Sequence, residues 1–197
     1  FCGFTSMVYS HENDFQLAAV FIIIAAIFDA LDGIMARLTK SSSQFGVELD
    51  SLADVVSFGA APSFLIYSSF FFDYEYKWLG IVISSLPLIC GALRLARFNV
   101  QLTGFDKSSF SGLPIPFQAF ALSSYVMIYY SPESGFREPY INFIVPLVLF
   151  LSALMVSRIK FNTLPKFSKK GVQSQPLYYL FLVIALILAI VSRGSLL

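Results

Sequence analysis

The sequence predicts an all-α polytopic membrane protein, a bundle of transmembrane helices. Of its 197 residues, 57% are hydrophobic and only 13% are charged, a balance far from that of a soluble domain. Mean hydropathy is correspondingly high, at +0.75. Apolar runs of about 20 residues, the length a helix needs to cross roughly 30 Å of hydrocarbon, recur between short polar breaks. We therefore interpret residues 1–197 as one integral membrane domain.

Six apolar runs are predicted to span the membrane, at residues 17–38, 46–72, 78–98, 115–131, 140–157 and 176–192. The opening stretch "FCGFTSMVYS" is apolar but too short to span. We interpret it as the end of a first helix whose beginning is missing, which gives about seven spans with the first incomplete. Pro114 and Pro116 are expected to shape the start of a helix, because proline is tolerated in a first turn and breaks a helix interior.

The distribution of basic residues predicts the orientation of the bundle. Ten Lys and Arg fall on one side, namely Arg37, Lys40, Arg94, Arg97, Lys107, Arg158, Lys160, Lys166, Lys169 and Lys170, and three on the other, namely Lys77, Arg137 and Arg193. The positive-inside rule makes the first side cytoplasmic, in the plasma or inner membrane of a prokaryote. These residues are expected to touch membrane lipids, whereas a net charge of +1 argues against nucleic acid as a partner.

Four aspartates interrupt two neighbouring apolar runs in "FDALDGIMARLTKSSSQFGVELDSLADVV", residues 28–56. A carboxylate near the bilayer centre costs roughly 3 kcal/mol on the most lenient insertion scale, so their presence needs a reason. Asp29 and Asp32 are three residues apart, and Asp50 and Asp54 are four apart. Each pair is therefore expected on one face of its helix.

The two acidic faces also match in depth. In an antiparallel hairpin that turns around residues 41–42, a rise of 1.5 Å per residue puts Asp29 and Asp54 about 14 Å below the cytosolic end. Asp32 and Asp50 share a level of about 7 to 9 Å. The four carboxylates are thus expected to converge and, because like charges repel, to need a cation. Carboxylate oxygens suit Mg²⁺, and two such ions clamp the oxygens of an in-line displacement at phosphorus.

Small residues and one arginine accompany the carboxylates. Gly33, Ala36 and Gly46 either leave room for a ligand or let two helix backbones approach closely. Arg37 is suited to hold a phosphate or nucleotide as a bidentate donor, or else snorkels to the membrane surface. Both interpretations of each residue stay open at this point.

Together these eight residues form the pattern D-x2-D-G-x2-A-R-x8-G-x3-D-x3-D, which runs from Asp29 to Asp54. The pattern resembles the full signature of the CDP-alcohol phosphotransferase family, with every position present. The resemblance implies an integral membrane enzyme that transfers a phosphatidyl or similar group from a CDP-linked donor to an alcohol and releases CMP. It also implies a homodimer.

The resemblance further implies roles for individual residues. Divalent metal, Mg²⁺ or Mn²⁺ and as two ions, would be bound by Asp29, Asp32, Asp50 and Asp54. Asp54 would also be the catalytic general base that takes the proton of the attacking hydroxyl. The CDP-diacylglycerol site would be formed by Asp32, Gly33, Ala36, Arg37 and Gly46.

Further blocks resemble the phosphatidylserine synthase branch of that family: "DSLADVVSFGAAPS", "GALRLARFN", "FSGLPIPFQA" and "LMVSRIKF". This implies CDP-diacylglycerol as the donor and L-serine as the acceptor. Arg94, Arg97 and Arg158 are candidates to hold the serine carboxylate or the donor phosphate, although snorkelling at the membrane boundary explains each equally well. Further candidates of the same kind are Asn99, Ser111 and Gln118.

Two alternatives remain. Another acceptor, such as glycerol 3-phosphate or an inositol phosphate, would need a denser basic pocket than the few Lys and Arg at membrane depth provide. From a different class, a divalent-cation transporter would explain intramembrane carboxylates. The aspartates, however, occupy only the cytosolic half of the predicted spans, with no acidic match on the outer half.

Overall fold

The computed structural model describes residues 1–39, 43–72, 75–103 and 112–159, most of them helical. The helices are α1 (Cys2–His11), α2 (Phe15–Thr39), α3 (Gln44–Asp54), α4 (Ala61–Ile66), α5 (Lys77–Thr103), α6 (Ile115–Tyr129) and α7 (Ile144–Val156). A short antiparallel pair, β1 (Tyr130–Ser131) and β2 (Gly135–Phe136), joins α6 to a 3₁₀ turn at Tyr140–Phe143. The span predicted at residues 176–192 lies outside the described residues.

Within those residues, three helical runs are long and apolar enough to cross a membrane: Phe15–Gly33, Gln44–Phe71 and Lys77–Val100. Two shorter apolar helices cover Ile115–Tyr129 and Tyr140–Val156. The opening stretch forms α1, which packs against α2. The architecture is that of a helical membrane protein, and the total of about seven spans stays a prediction.

The run predicted as one span at 46–72 is one continuous helical rod with changes of pitch. After α3, residues Val55–Ala60 are π-helical, and the rod ends in a second π-helical stretch, Tyr67–Phe71, after α4. A π turn holds more residues than an α turn, so each stretch rotates the following side chains relative to those before it. The first π stretch begins directly after Asp54. Because of this change of pitch, the side chains of α3 and those of α4 do not follow one α-helical periodicity.

Polar side chains begin two of the helices. The Asp14 carboxylate accepts a hydrogen bond from the Leu17 amide at 3.0 Å at the start of α2. The Ser43 hydroxyl accepts one from the Gly46 amide at 3.0 Å at the start of α3. Such caps satisfy amides that have no partner inside the helix. Pro116 lies in the first turn of α6, as predicted.

The interior of the bundle is formed by fully buried side chains from several helices, including Ile22 of α2, Leu65 of α4 and Leu122 of α6. Helix α1 packs closely against the α3–α4 rod. A Cβ atom added at Gly3 would lie 2.6 Å from the Ser57 Cα atom, so only glycine permits this approach of the two backbones.

The β1–β2 pair was not predicted, because two residues per strand leave no alternating pattern to detect. Tyr130 lies opposite Phe136 in the pair, and their rings are 5.3 Å apart. The Tyr130 ring also makes an edge contact with the Phe15 ring, with centroids 5.0 Å apart. This contact packs the β1–β2 pair against the first turn of α2. Aromatic clusters of this kind are typical of the membrane–water interface.

Candidate metal centre

Three of the four predicted aspartates come together between α2 and α3. Carboxylate oxygens of Asp29, Asp50 and Asp54 all lie within 4.8 Å of one another. Asp29 and Asp54 are partly buried, whereas Asp50 is exposed. Asp50 and Asp54 share a face of α3 because they are one turn apart, and that face meets Asp29 of α2. We call these three residues the aspartate group.

Asp32 is not part of the aspartate group, and its side chain is exposed. It still lies near enough to interact repulsively with Asp29 and Asp50. Three residues correspond to about 300° of helix rotation, so Asp32 projects about 60° away from Asp29 around the axis of α2. Its proposed role in metal and donor binding stays a prediction.

The chemistry of the aspartate group fits a hard divalent cation. Mg²⁺ binds oxygen at about 2.0 to 2.1 Å and Ca²⁺ at about 2.3 to 2.6 Å, so two oxygens on one ion lie at most about 4 to 5 Å apart. The 4.8 Å that encloses the three oxygens lies within the limit for Ca²⁺ and slightly above the limit of about 4.2 Å for Mg²⁺, so Mg²⁺ would draw the carboxylates a little closer together. Three carboxylates supply the donors these ions prefer and leave positions for water or a substrate phosphate.

The residues predicted to line the donor site lie on α2 and α3, the two helices that carry the aspartates. Gly33 and Gly46 are both exposed; Gly33 follows Asp32 directly on α2, and Gly46 lies one turn before Asp50 near the start of α3. A Cβ atom at Gly46 would lie 3.2 Å from the Ser43 Oγ, so a side chain there would crowd the cap of α3. Ala36 and Arg37 lie in the last turns of α2, and the predictions for their side chains fall outside what the structure describes.

The three candidate arginines have different surroundings. Arg94 of α5 is partly buried and is attracted to Asp54. Its Nε atom is buried and has no hydrogen-bond partner among the described residues. Arg97 donates to the Val156 carbonyl oxygen at 3.2 Å, which joins α5 to the end of α7. Arg158 is exposed just beyond α7. Of the three, Arg94 interacts with the aspartate group, through Asp54.

Sequence reasoning missed Glu48 and Ser51, which hydrogen-bond to Asn99 beside the aspartate group. Their spacing of three residues on a predicted helix was the available signal, since it places both on one face. Of the further acceptor candidates, Gln118 is fully buried, with its amide unpartnered among the described residues, and Ser111 lies outside them.

Known proteins resemble this chain over most of its length. A sequence model of the family described as CDP-alcohol phosphatidyltransferase matches residues 1–157. A Helicobacter pylori protein named CDP-diacylglycerol–serine O-phosphatidyltransferase is 40% identical over 172 residues, covering 86% of this chain and 69% of that protein. A Bacillus subtilis protein of the same name is 33% identical over 178 residues, covering 88% and 90%. A Methanothermobacter thermautotrophicus protein named archaetidylserine synthase is 38% identical over 162 residues, covering 81% and 64%.

Proposed function

Because the chain belongs to the CDP-alcohol phosphatidyltransferase family, we propose that it transfers the phosphatidyl group of CDP-diacylglycerol to L-serine, with release of CMP. The observation that carries the proposal is the aspartate group, held between two apolar helices of a chain whose relatives are named for serine transfer. A lipid-linked nucleotide needs such a site, since its acyl chains stay in the membrane and its diphosphate needs charge neutralisation.

The proposed cofactor is Mg²⁺ or Mn²⁺, as two ions held by Asp29, Asp50 and Asp54 with Asp32 beside them. When bound, these ions would neutralise the diphosphate and stabilise the charge that develops on its oxygens. Mutual repulsion of the carboxylates favours binding of a cation, because the positive charge relieves that repulsion. The donor site would be formed by small residues that leave room for the cytidine and diphosphate, namely Gly33, Ala36 and Gly46. Arg37 would hold the diphosphate.

Asp54 is the proposed general base. The serine hydroxyl oxygen attacks the phosphatidyl phosphorus, the bond from phosphorus to the CMP oxygen breaks, and CMP leaves with the electron pair of that bond. The hydroxyl proton passes to a carboxylate oxygen of Asp54. Arg94, which is attracted to the same carboxylate, is the proposed partner of the serine carboxylate. Arg97 and Arg158 remain further candidates for the donor phosphate.

We propose that the site faces the cytoplasm, because the ten-to-three distribution of Lys and Arg places its end of the bundle there. The homodimer implied by the family resemblance stays a prediction. Neither affects the chemistry proposed for a single site.

The test is CMP release by the purified protein in detergent, with CDP-diacylglycerol as donor. We expect release only when both L-serine and Mg²⁺ or Mn²⁺ are present. Release with glycerol 3-phosphate but not serine would refute the proposed acceptor, and release without any alcohol would indicate a hydrolase. Release that persists after complete metal removal would refute the metal-dependent mechanism.

A further inference from the structure

Helix α3 carries two of the three carboxylates, yet apolar packing does little to fix its orientation. All 11 residues of α3 are described, and none of them is buried. A rotation of α3 by 20° about its own axis would move a carboxylate about 5 to 6 Å from that axis by about 2 Å. Since the aspartate group is enclosed within 4.8 Å, such a rotation would disperse it. The first buried side chain of the rod, Phe58, lies beyond Asp54 in the π-helical stretch, so α3 needs a contact of its own to hold its rotation against that stretch.

The described interaction that meets this need comes from Asn99 on α5. Its amide nitrogen donates to the Glu48 carboxylate at 3.2 Å and to the Ser51 hydroxyl at 3.1 Å. The Ser51 hydroxyl lies 3.1 Å from the Val47 carbonyl oxygen and 3.3 Å from the Asn99 carbonyl oxygen, and its single proton is shared between these two acceptors. The amide nitrogen of Asn99 thus bonds two residues of α3. Hydrogen bonds to two residues one turn apart oppose both rotation and sliding of the helix.

The contacted face lies beside the acidic one. Ser51 follows Asp50 directly, and Asp54 is three residues further along, so the carboxylates project about 60° to 100° around the axis from Ser51. A bond that fixes the azimuth of Ser51 therefore fixes theirs. The bond to Glu48 is charge-assisted, which makes it stronger than a bond between neutral groups.

We propose that Asn99 is a positioning residue that sets the rotation of α3, and thereby holds Asp50 and Asp54 opposite Asp29 for metal binding. It acts through Glu48 and Ser51 and does not contact the acceptor alcohol. This inference rests on the proposed function, because it assigns the aspartate group to metal. It replaces the role in acceptor binding that the sequence suggested for Asn99.

The first experiment measures Mn²⁺ binding directly, by electron paramagnetic resonance of free Mn²⁺, in wild-type protein and in Asn99→Ala. Loss of a partner that orients a metal ligand weakens metal binding by about 10- to 100-fold, and we expect the lower end of that range. The Mn²⁺ concentration for half-maximal CMP release should rise in parallel, with the KM for serine unchanged. Unchanged Mn²⁺ affinity would overturn the proposal, as would a raised serine KM without a metal defect.

A reversed pair separates positioning from general damage to the fold. Asn99→Asp alone places a second carboxylate against Glu48 and should weaken Mn²⁺ binding. The double variant Glu48→Gln/Asn99→Asp keeps the net charge and restores a hydrogen bond with donor and acceptor exchanged. We expect it to recover Mn²⁺ affinity to within about 3-fold of wild type, a residual loss below the 10-fold expected for an absent partner. A double variant no better than Asn99→Asp would contradict the proposal, and it decides the matter even if Asn99→Ala does not fold.

Ser85→Ala is the matched control on α5, because the Ser85 hydroxyl donates to the Val82 carbonyl oxygen within the same helix. It should leave Mn²⁺ binding and CMP release unchanged, and a defect equal to that of Asn99→Ala would count against positioning. Wild-type protein that binds Mn²⁺ but shows no release with serine would overturn the proposed function alone. The Mn²⁺ affinities of the variants would still decide the role of Asn99.

Discussion

Replacing Asp50 by Asn should stabilise the metal-free protein while removing most of its stabilisation by metal. Two unit charges 4.8 Å apart repel by about 3.5 kcal/mol at an effective dielectric constant of 20. Asp50 takes part in two of the three pairs of the aspartate group, but it is exposed, so solvent screens both. At a pH at which all three carboxylates are ionised, and allowing about 1 kcal/mol for each screened pair, Asp50→Asn should raise the free energy of unfolding without metal by about 2 kcal/mol.

Thermal unfolding in detergent measures this effect. For a chain of this size, about 2 kcal/mol corresponds to a rise in apparent Tm of roughly 4 to 8 °C in the presence of a chelator. At a Mn²⁺ concentration 1,000 times its Kd, wild-type protein should gain about 4 kcal/mol, since metal binds the folded state. The variant has lost a ligand and should gain little. The order of stability should therefore reverse between chelator and Mn²⁺.

Altered packing would not reverse the order of stability of wild type and variant, because it would shift the variant's Tm in the same direction with chelator and with Mn²⁺. Glu133→Gln is the matched control, because it removes one exposed carboxylate in the turn between β1 and β2, away from the aspartate group. It should leave both Tm values unchanged. A variant Asp50→Asn that is less stable than wild type in chelator would refute the repulsion argument. Equal shifts with Mn²⁺ would refute Asp50 as a ligand.

Three further predictions concern single substitutions. Asp54→Asn should lower kcat for CMP release by at least about 100-fold, the lower range for loss of a general base, with the protein still folded by thermal unfolding. Gly3→Ala should lower stability by about 1 to 3 kcal/mol, because its Cβ atom would meet Ser57 of the rod, and an unchanged Tm would contradict that contact. Gly112→Ala should lower Tm more than Gly135→Ala. Both glycines have positive φ, but only at Gly112 would the added atom meet the α7 backbone.

The helices were predictable from the sequence because their signals are local. The runs predicted at 17–38 and 46–72 correspond to α2 and to the rod Gln44–Phe71, with ends displaced by one or two residues. Rise per residue also gave the depth of each aspartate, and Asp29 and Asp54, predicted at one level, do meet. These quantities depend only on distance along a helix axis.

Rotation about that axis was not predictable in the same way. The depths calculated from the rise per residue put Asp32 level with Asp50, whereas the structure groups Asp29 with Asp50 and Asp54. The azimuth of α3 depends on Asn99, which lies 48 residues from Ser51 in the chain, and on the π-helical stretch that follows Asp54. Neither a hydrogen bond between distant residues nor a local change of pitch leaves a periodic signal in the sequence.

The surroundings of the aspartate group favour a lipid-linked substrate over a soluble one. Beside Asp29, the side chains of Phe28 and Leu31 are 57% and 49% exposed, and beside Asp50, that of Leu49 is 54% exposed. Exposed apolar side chains thus lie next to the carboxylates on both helices. A transporter would instead need its carboxylates enclosed by protein or facing a water-filled path, because an ion in hydrocarbon is costly. A donor with acyl chains and a diphosphate matches both the apolar and the acidic parts of this surface.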